Sequence, residues 1–303
     1  MRRALAAGRR GPRRAPRVGV ALAVAVSSLV AGMSPAGARQ SPAAPYYNTV
    51  KQKLLDGRPV VGGTVSIPDP EIYCAMANAG FDFTWIEMQH SPLTYQDVAR
   101  MIIRCQGAPA IPFIRVPDAT EGDIQKATDV GALGVIVPMV DTVEKIEAAI
   151  RFAKYPPVGR RSQGGGQYRA LWGDTYRQTA NDNMMMVAMI ENPAGAAIVD
   201  RIAAVPGVDV VFVASTDLAS FSGRRQGDPE YEAVVTNVRE TVAAAGLAVG
   251  GPLAWKDSRT GYHFFQGPGE TTLIACGTRV SLNVRPANCP TTGVAPTEGA
   301  EQR

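Results

Sequence analysis

From Leu54 onward the chain alternates short apolar runs with stretches in which apolar residues recur every three or four positions. Residues 60–65, 83–87, 110–116, 134–140, 185–190 and 208–213 read as strands, with a shorter one at 247–250. The intervening stretches 70–79, 95–105, 121–129, 142–153, 194–202 and 229–245 read as helices. Pro70 opens the first of these and Gly80 closes it, and Gly131 stops the third, as proline and glycine do at opposite helix ends. In 142–153 the apolar residues Val143, Ile146 and Ile150 share one face. The strands are uniformly apolar rather than alternating, which predicts a parallel sheet covered by helices. Seven or eight such units in ~250 residues fit an α/β TIM (β/α)8 barrel. A doubly wound open sheet is the competing architecture, although no GxGxxG follows the first strand.

Two segments break the alternation. Residues 155–183 are rich in Gly, Arg and Gln, and an insertion of that size is usually functional or mobile. The last apolar run is 272–275, and the residues after Cys276 show no helical period, so the last helix is expected to be short or missing. The domain reading is therefore a linker at 39–53, a barrel at 54–289 and a disordered tail at 290–303, all behind a leader at 1–38.

The leader changes the charge picture. The 303 residues are 46% hydrophobic and 19% charged, a globular composition, with a formal charge of +4. Seven arginines within residues 1–38, accompanied by no acid, supply that surplus; the remainder carries −3. No general attraction to nucleic acid follows. The arginines precede an uncharged stretch at 18–33 and the small residues Ala36-Gly37-Ala38, the three-part pattern of a secretory signal peptide. Sixteen helical residues span ~24 Å, short of a ~30 Å hydrocarbon core, so a retained anchor is the weaker reading. The expectation is export, with no membrane attachment after cleavage. Export permits disulfides, and the four cysteines (74, 105, 276, 289) read first as buried thiols, with one bridge the main competitor.

In a barrel of this kind the chemistry sits at the carboxyl ends of the strands. Glu87 and His90 end the second strand, Arg115 the third, Glu191 the fifth, and Asp217 follows the sixth. Taken singly, Asp217 reads as a helix N-cap and Arg115 as a strand-to-helix bridge. Glu191, directly behind MMMVAMI, is harder to explain structurally, because a lone carboxylate there is costly to bury. Together, two acids without a nearby Cys or His pair suit a hard cation, Mg²⁺ or Mn²⁺. The arginine offers a fork for a carboxylate and the histidine a base near neutral pH. His263, within an aromatic stretch, reads as packing. Arg160 and Arg161, in GRRSQGGGQ, are candidate carboxylate binders at a loop that otherwise reads as mobile; the Lys-Ser/Thr of a Walker motif is missing there.

The stretches WIEMQHSP (85–92), PFIRVPD (112–118), residues 129–167, MIENPAG (189–195) and GVDVVFVASTDLASFSG (207–223) resemble the HpcH/HpaI aldolase family, the 2-oxo-acid aldolases of the phosphoenolpyruvate/pyruvate barrel superfamily. The resemblance implies a metal held by Glu191 and Asp217, with Co²⁺ an alternative to Mg²⁺ or Mn²⁺. It places the pyruvate-contacting arginine on Arg115, the catalytic histidine on His90 and the acid that pairs with it on Glu87, where an aspartate is usual. Ser215 and Thr216 take substrate-binding positions in the turn before Asp217. The implied activity is that of a class II aldolase, releasing pyruvate and an aldehyde from a 4-hydroxy-2-oxo acid through a metal-stabilised enolate, in a homo-oligomer (trimer or hexamer). Gln89, Ser91, Met189 and Ser215 depart from the family pattern near the substrate. Two alternatives therefore stand beside this one: another enolate-forming lyase or decarboxylase, and an exported binding protein without turnover.

Overall fold

The computed structural model describes residues 46–284 and Cys289. The leader and the tail at 290–303 lie outside the described residues. The elements are α1 (Thr49–Leu55), β1 (Val60–Val65), α2 (Pro70–Asn78), β2 (Phe83–Glu87), α3 (Tyr95–Arg104), β3 (Ile111–Arg115), α4 (Glu121–Asp129), β4 (Gly134–Val137) and α5 (Val143–Ala153). Then come α6 (Tyr168–Trp172), α7 (Tyr176–Asn183), β5 (Met185–Ile190), α8 (Pro193–Ala197), α9 (Val199–Ala203), β6 (Val210–Val213) and α10 (Ser215–Ser222). The chain ends through α11 (Pro229–Ala244), β7 (Ala248–Pro252), a 3₁₀ turn (Leu253–Trp255), β8 (Phe264–Gly269) and α12 (Glu270–Ser281). Each strand pairs in parallel with the next, and β8 returns to β1, so the sheet closes. Closure confirms the TIM barrel and excludes the open doubly wound sheet.

Inside the barrel, aromatic rings fill the space that neighbouring glycines vacate. Phe83, Trp85, Phe113, Phe212 and Phe264 are buried there, with the Phe83 and Phe264 rings stacked at 4.5 Å. A Cβ at Gly62 would strike the Phe83 ring, and one at Gly134 the Phe113 ring. Outside, aliphatic residues of the strands meet the helices, whose starts are set by local chemistry. Asp69 and Thr120 accept first-turn N–H groups of α2 and α4, and Thr94 with Asp97 forms a capping box on α3.

The base of the barrel is closed by parts of the chain that composition alone misreads. Residues 49–53, within the expected linker, belong to α1. Asn48 is fully buried ahead of that helix; its amide donates to the Leu133 and Asn183 carbonyls. Lys51 pairs with Asp209 at 3.2 Å and Lys53 with Asp82, both acids standing just before strands. Residues 155–183 form the rest of this floor. Arg161 is 2% exposed, bonded to the Tyr176 hydroxyl (2.8 Å) and Asp129 (2.9 Å), with its guanidinium over the rings of Tyr155, Tyr168 and Tyr176. The reading of the segment as a loose loop is corrected at Gly159 and Gly166, which pack closely on backbone, and at Arg161, a buried cation.

Two further expectations change. Strand β8 is FFQGPG, not the apolar run at 272–275, which opens α12. The last helix is neither short nor missing: α12 has 12 residues, but only Glu270 in it is buried. Apart from Glu270 and the half-buried Leu273 its side chains face away from the barrel, so no amphipathic period marks it. Glu270 anchors its start by accepting the N–H groups of Ser66 (2.5 Å) and Ile67 (3.0 Å).

The cysteines are bridged as Cys74–Cys105 and Cys276–Cys289, which overturns the reading as buried thiols. Cys74–Cys105 joins α2 to the end of α3. Opening it by Cys105→Ser frees a loop of 31 residues. The expected loss is about 2–4 kcal/mol of stability, read as a lower denaturant midpoint than that of the oxidised parent.

Candidate active site

Five of the predicted groups come from the carboxyl-terminal rim. Glu87 and Arg115 are the last residues of β2 and β3 and are register partners. Glu191 follows β5. Asp217 is the third residue of α10, whose N-cap is Ala214, so the reading of Asp217 as a cap is excluded. Arg115, 6% exposed, lies between two carboxylates: Nη1 is 3.3 Å from Glu87 Oε2 and Nη2 is 3.2 Å from Glu191 Oε2. Its role as a mere strand-to-helix bridge is likewise excluded.

Glu191 is 2% exposed. Burial pushes its carboxyl above the ordinary range; the Arg115 guanidinium and the Met139 N–H (2.7 Å to Oε1) oppose that shift, and the nearby charge of Asp217 adds to it. A hydrogen bond between the two carboxyls pushes the same way, so Glu191 and Asp217 lie side by side. Two carboxylates, Glu87 and Glu191, share the Arg115 guanidinium, and Asp217 stands beside Glu191 as a third acid. Met139 enters by its backbone alone, with φ 51°, a left-handed conformation uncommon for a residue with a side chain. Nothing in its side chain signals this contribution.

Glu87 is saturated. Oε2 accepts from Trp85 Nε1 (3.1 Å) as well as Arg115, and Oε1 accepts the main-chain N–H groups of Gln89 (2.9 Å) and His90 (3.1 Å). The Ser91 hydroxyl closes the turn by donating to the Glu87 carbonyl. The reading of Glu87 as partner of the His90 imidazole is thus corrected: Glu87 shapes the turn that carries His90, and the imidazole itself is exposed at the mouth. Trp85 was a signal in plain view, since residues 85 and 87 share one strand face.

The remaining candidates divide. Ser215 is buried, and its hydroxyl accepts from Gln226 Nε2 at 3.4 Å; Thr216 is exposed. The first turn of α10 has no side-chain cap, which leaves its N–H groups suited to a carboxylate. Arg160 pairs with Glu121 at 3.1 Å and Arg161 is locked in the floor, so neither reaches this rim from within its own chain. His263 is bound into the sheet: its N–H donates to Val249 and its carbonyl accepts from Val60.

Among the described residues no group of three or more His, Cys, Asp or Glu side chains is arranged to hold a metal ion. The donor set is instead a carboxylate pair. Glu191 and Asp217 offer hard oxygen ligands, and a cation between them would relieve their repulsion; Mg²⁺ characteristically takes one or two carboxylates and keeps waters in its other positions. The residues fit a divalent cation of that kind.

The family model for HpcH/HpaI aldolase/citrate lyase matches residues 65–263. A hydroxypyruvate/pyruvate aldolase from Pseudomonas aeruginosa is 34% identical over 210 residues, covering 67% of this chain and 78% of the relative. A 2-keto-3-deoxy-L-rhamnonate aldolase from Klebsiella pneumoniae is 31% identical over 208 residues, covering 67% of this chain and 78% of the relative. The crystal structure of an HpcH/HpaI aldolase/citrate lyase family protein from Burkholderia cenocepacia J2315 superposes with a TM-score of 0.72 at 30% identity, covering 78% of this chain and 98% of that one. With its closed barrel, its charged rim and these relatives, the chain belongs to the HpcH/HpaI aldolase/citrate lyase family, a family of carbon–carbon lyases.

Proposed function

We propose that this protein is a metal-dependent class II aldolase that splits a 4-hydroxy-2-oxo acid into pyruvate, or its hydroxy analogue, and an aldehyde, or runs the reverse addition. The observation that carries the reading is the rim where Arg115 lies between Glu87 and Glu191, with Asp217 beside Glu191. The names of the relatives support a short 2-oxo acid as the nucleophilic fragment.

Glu191 and Asp217 would hold the divalent cation, Mg²⁺ or Mn²⁺ with Co²⁺ an alternative, which supplies Lewis-acid withdrawal of charge from the 2-oxo acid. Arg115 stabilises the negative charge that develops on the same fragment; its buried Nε, without a partner among the described residues, is a donor still to be used. The uncapped first turn of α10, with Ser215 and Thr216, receives the substrate carboxylate. His90, exposed at the mouth, takes the proton from the aldol hydroxyl as the carbon–carbon bond breaks and returns it in the addition. Glu87 keeps His90 in place through main-chain N–H groups.

The test is pyruvate release from a panel of 4-hydroxy-2-oxo acids. Activity is expected with Mn²⁺ or Mg²⁺, lost in EDTA and regained when metal is restored. Undiminished turnover in EDTA would refute the metal role, and metal binding without turnover or deuterium exchange at pyruvate C3 would favour a binding protein.

Two accompanying readings belong to the same proposal. Ile274, Val280 and Leu282, exposed along and just beyond α12, support a homo-oligomer, trimer or hexamer, in which that helix finds its cover on another copy. The arginine-led leader and the two closed disulfides support export to an oxidising compartment. No helix among the described residues is long and apolar enough to cross a membrane.

A further inference from the structure

Helix α10 carries Asp217, yet little in its own sequence secures it. Ala214, at its N-cap, has no side-chain oxygen for the first-turn N–H groups. Between α8, α10 and α11 lies an apolar cavity of about 560 Å³ lined by Pro193, Ala196, Leu218, Phe221 and Val234. The hold on the first turn comes from elsewhere. On the barrel side, the Ala214 N–H donates to the carbonyl of Ile190, the residue before Glu191, at 3.0 Å. On the far side, the hydroxyl of Tyr231 in α11 donates to the Ser215 carbonyl, also at 3.0 Å.

Tyr231 is 1% exposed, and burial pushes its phenol up to about 12, so it keeps its proton and remains a donor. A second, weaker strut comes from Gln226, whose amide donates to Ser215 Oγ at 3.4 Å. Its carbonyl oxygen accepts from Trp255 Nε1 at 3.3 Å, which orients the amide with its NH₂ toward Ser215. Both struts grip the residue two positions before Asp217. They hold the first turn of α10 between the barrel and the cavity behind it.

We propose that Tyr231 is a positioning residue whose hydrogen bond to the Ser215 carbonyl sets Asp217 against Glu191 for divalent-cation binding. The inference rests on the reading of those two carboxylates as the metal pair. It assigns Tyr231 no contact with substrate: the hydroxyl works through the first turn of α10.

Calorimetric titration with Mn²⁺ tests it, using the full protein at a temperature well below its unfolding midpoint. Tyr231→Phe deletes one oxygen from a buried ring, and its Kd for Mn²⁺ is expected to rise about 10-fold, as when other groups that support metal ligands are lost. The kcat for pyruvate release is expected to recover as Mn²⁺ is raised to saturation, a pattern that simple destabilisation does not produce. An unchanged Kd overturns the proposal. Gln226→Met, at an exposed position that leaves the core intact, decides the matter if Tyr231→Phe does not fold: a weaker Kd supports the clamp and an unchanged one overturns it. If the unaltered protein binds no Mn²⁺, the metal reading falls and takes the clamp with it; binding that neither variant disturbs removes the clamp alone.

Discussion

Glu191→Ala is expected to lower kcat/KM for metal-dependent pyruvate release by about 10³-fold or more. The substitution removes one of the two carboxylates that would hold the cation, and it leaves Asp217, half-buried, without its counterpart. Losing a supporting group typically weakens a metal site by 10–100-fold, so losing a ligand should exceed that range. The variant should still fold, because Arg115 retains Glu87 at 3.3 Å and is not stranded. Calorimetry with Mn²⁺ and steady-state kinetics on the purified variant check the two halves of this expectation. Full activity in Glu191→Ala would remove residue 191 from the site.

Arg115→Met carries the largest expected effect on stability. The side chains of Glu87 and Glu191 are 8% and 2% exposed, and both lean on this guanidinium. Removing it leaves two buried carboxylates without a counter-charge, a loss of about 3–5 kcal/mol when one partner of a buried pair is deleted. For a chain of this size that corresponds to a fall of about 10 °C in Tm. The pH dependence has a definite sign. Arg115 is the strongest influence holding Glu191 down against burial, so its loss raises that carboxyl further. A carboxyl whose folded pKa lies above its unfolded value stabilises the fold at pH below the unfolded value and loses that contribution as pH rises through the folded one. The deficit of Arg115→Met relative to the parent should therefore be widest at neutral pH and narrow on acidification. A thermal scan at several pH values checks this; a deficit independent of pH would place the cost in packing rather than charge.

Much of the rim was legible because apolar runs end abruptly in charge. Phe83 to Ile86 stops at Glu87, Ile111 to Ile114 at Arg115, and the six residues of β5 at Glu191. A charged side chain just past a buried strand has few structural uses, and the barrel gathers all such ends on one face. Other parts left no such mark. β8 is half glycine and proline after two phenylalanines, so no aliphatic run announces it. α10 starts directly after β6 on Ala-Ser-Thr, without an N-cap bond to signal its beginning. The floor at 155–183 has the composition of a loose loop, and only three tyrosines closing on Arg161 reveal a packed cation. The spacing of Glu87 and His90 suggested a carboxylate–imidazole pair, but spacing cannot register that Trp85, Arg115 and two main-chain N–H groups already occupy every lone pair of that carboxylate.

The way α1 is fastened under the barrel keeps the start of the described chain away from the mouth. Asn48 is the first fully buried residue of the described chain, and Lys51 and Lys53 rivet the helix behind it to acids at the strand starts. The first described helix is therefore pinned at the pole opposite the reacting groups, which leaves the mouth of the barrel clear of it.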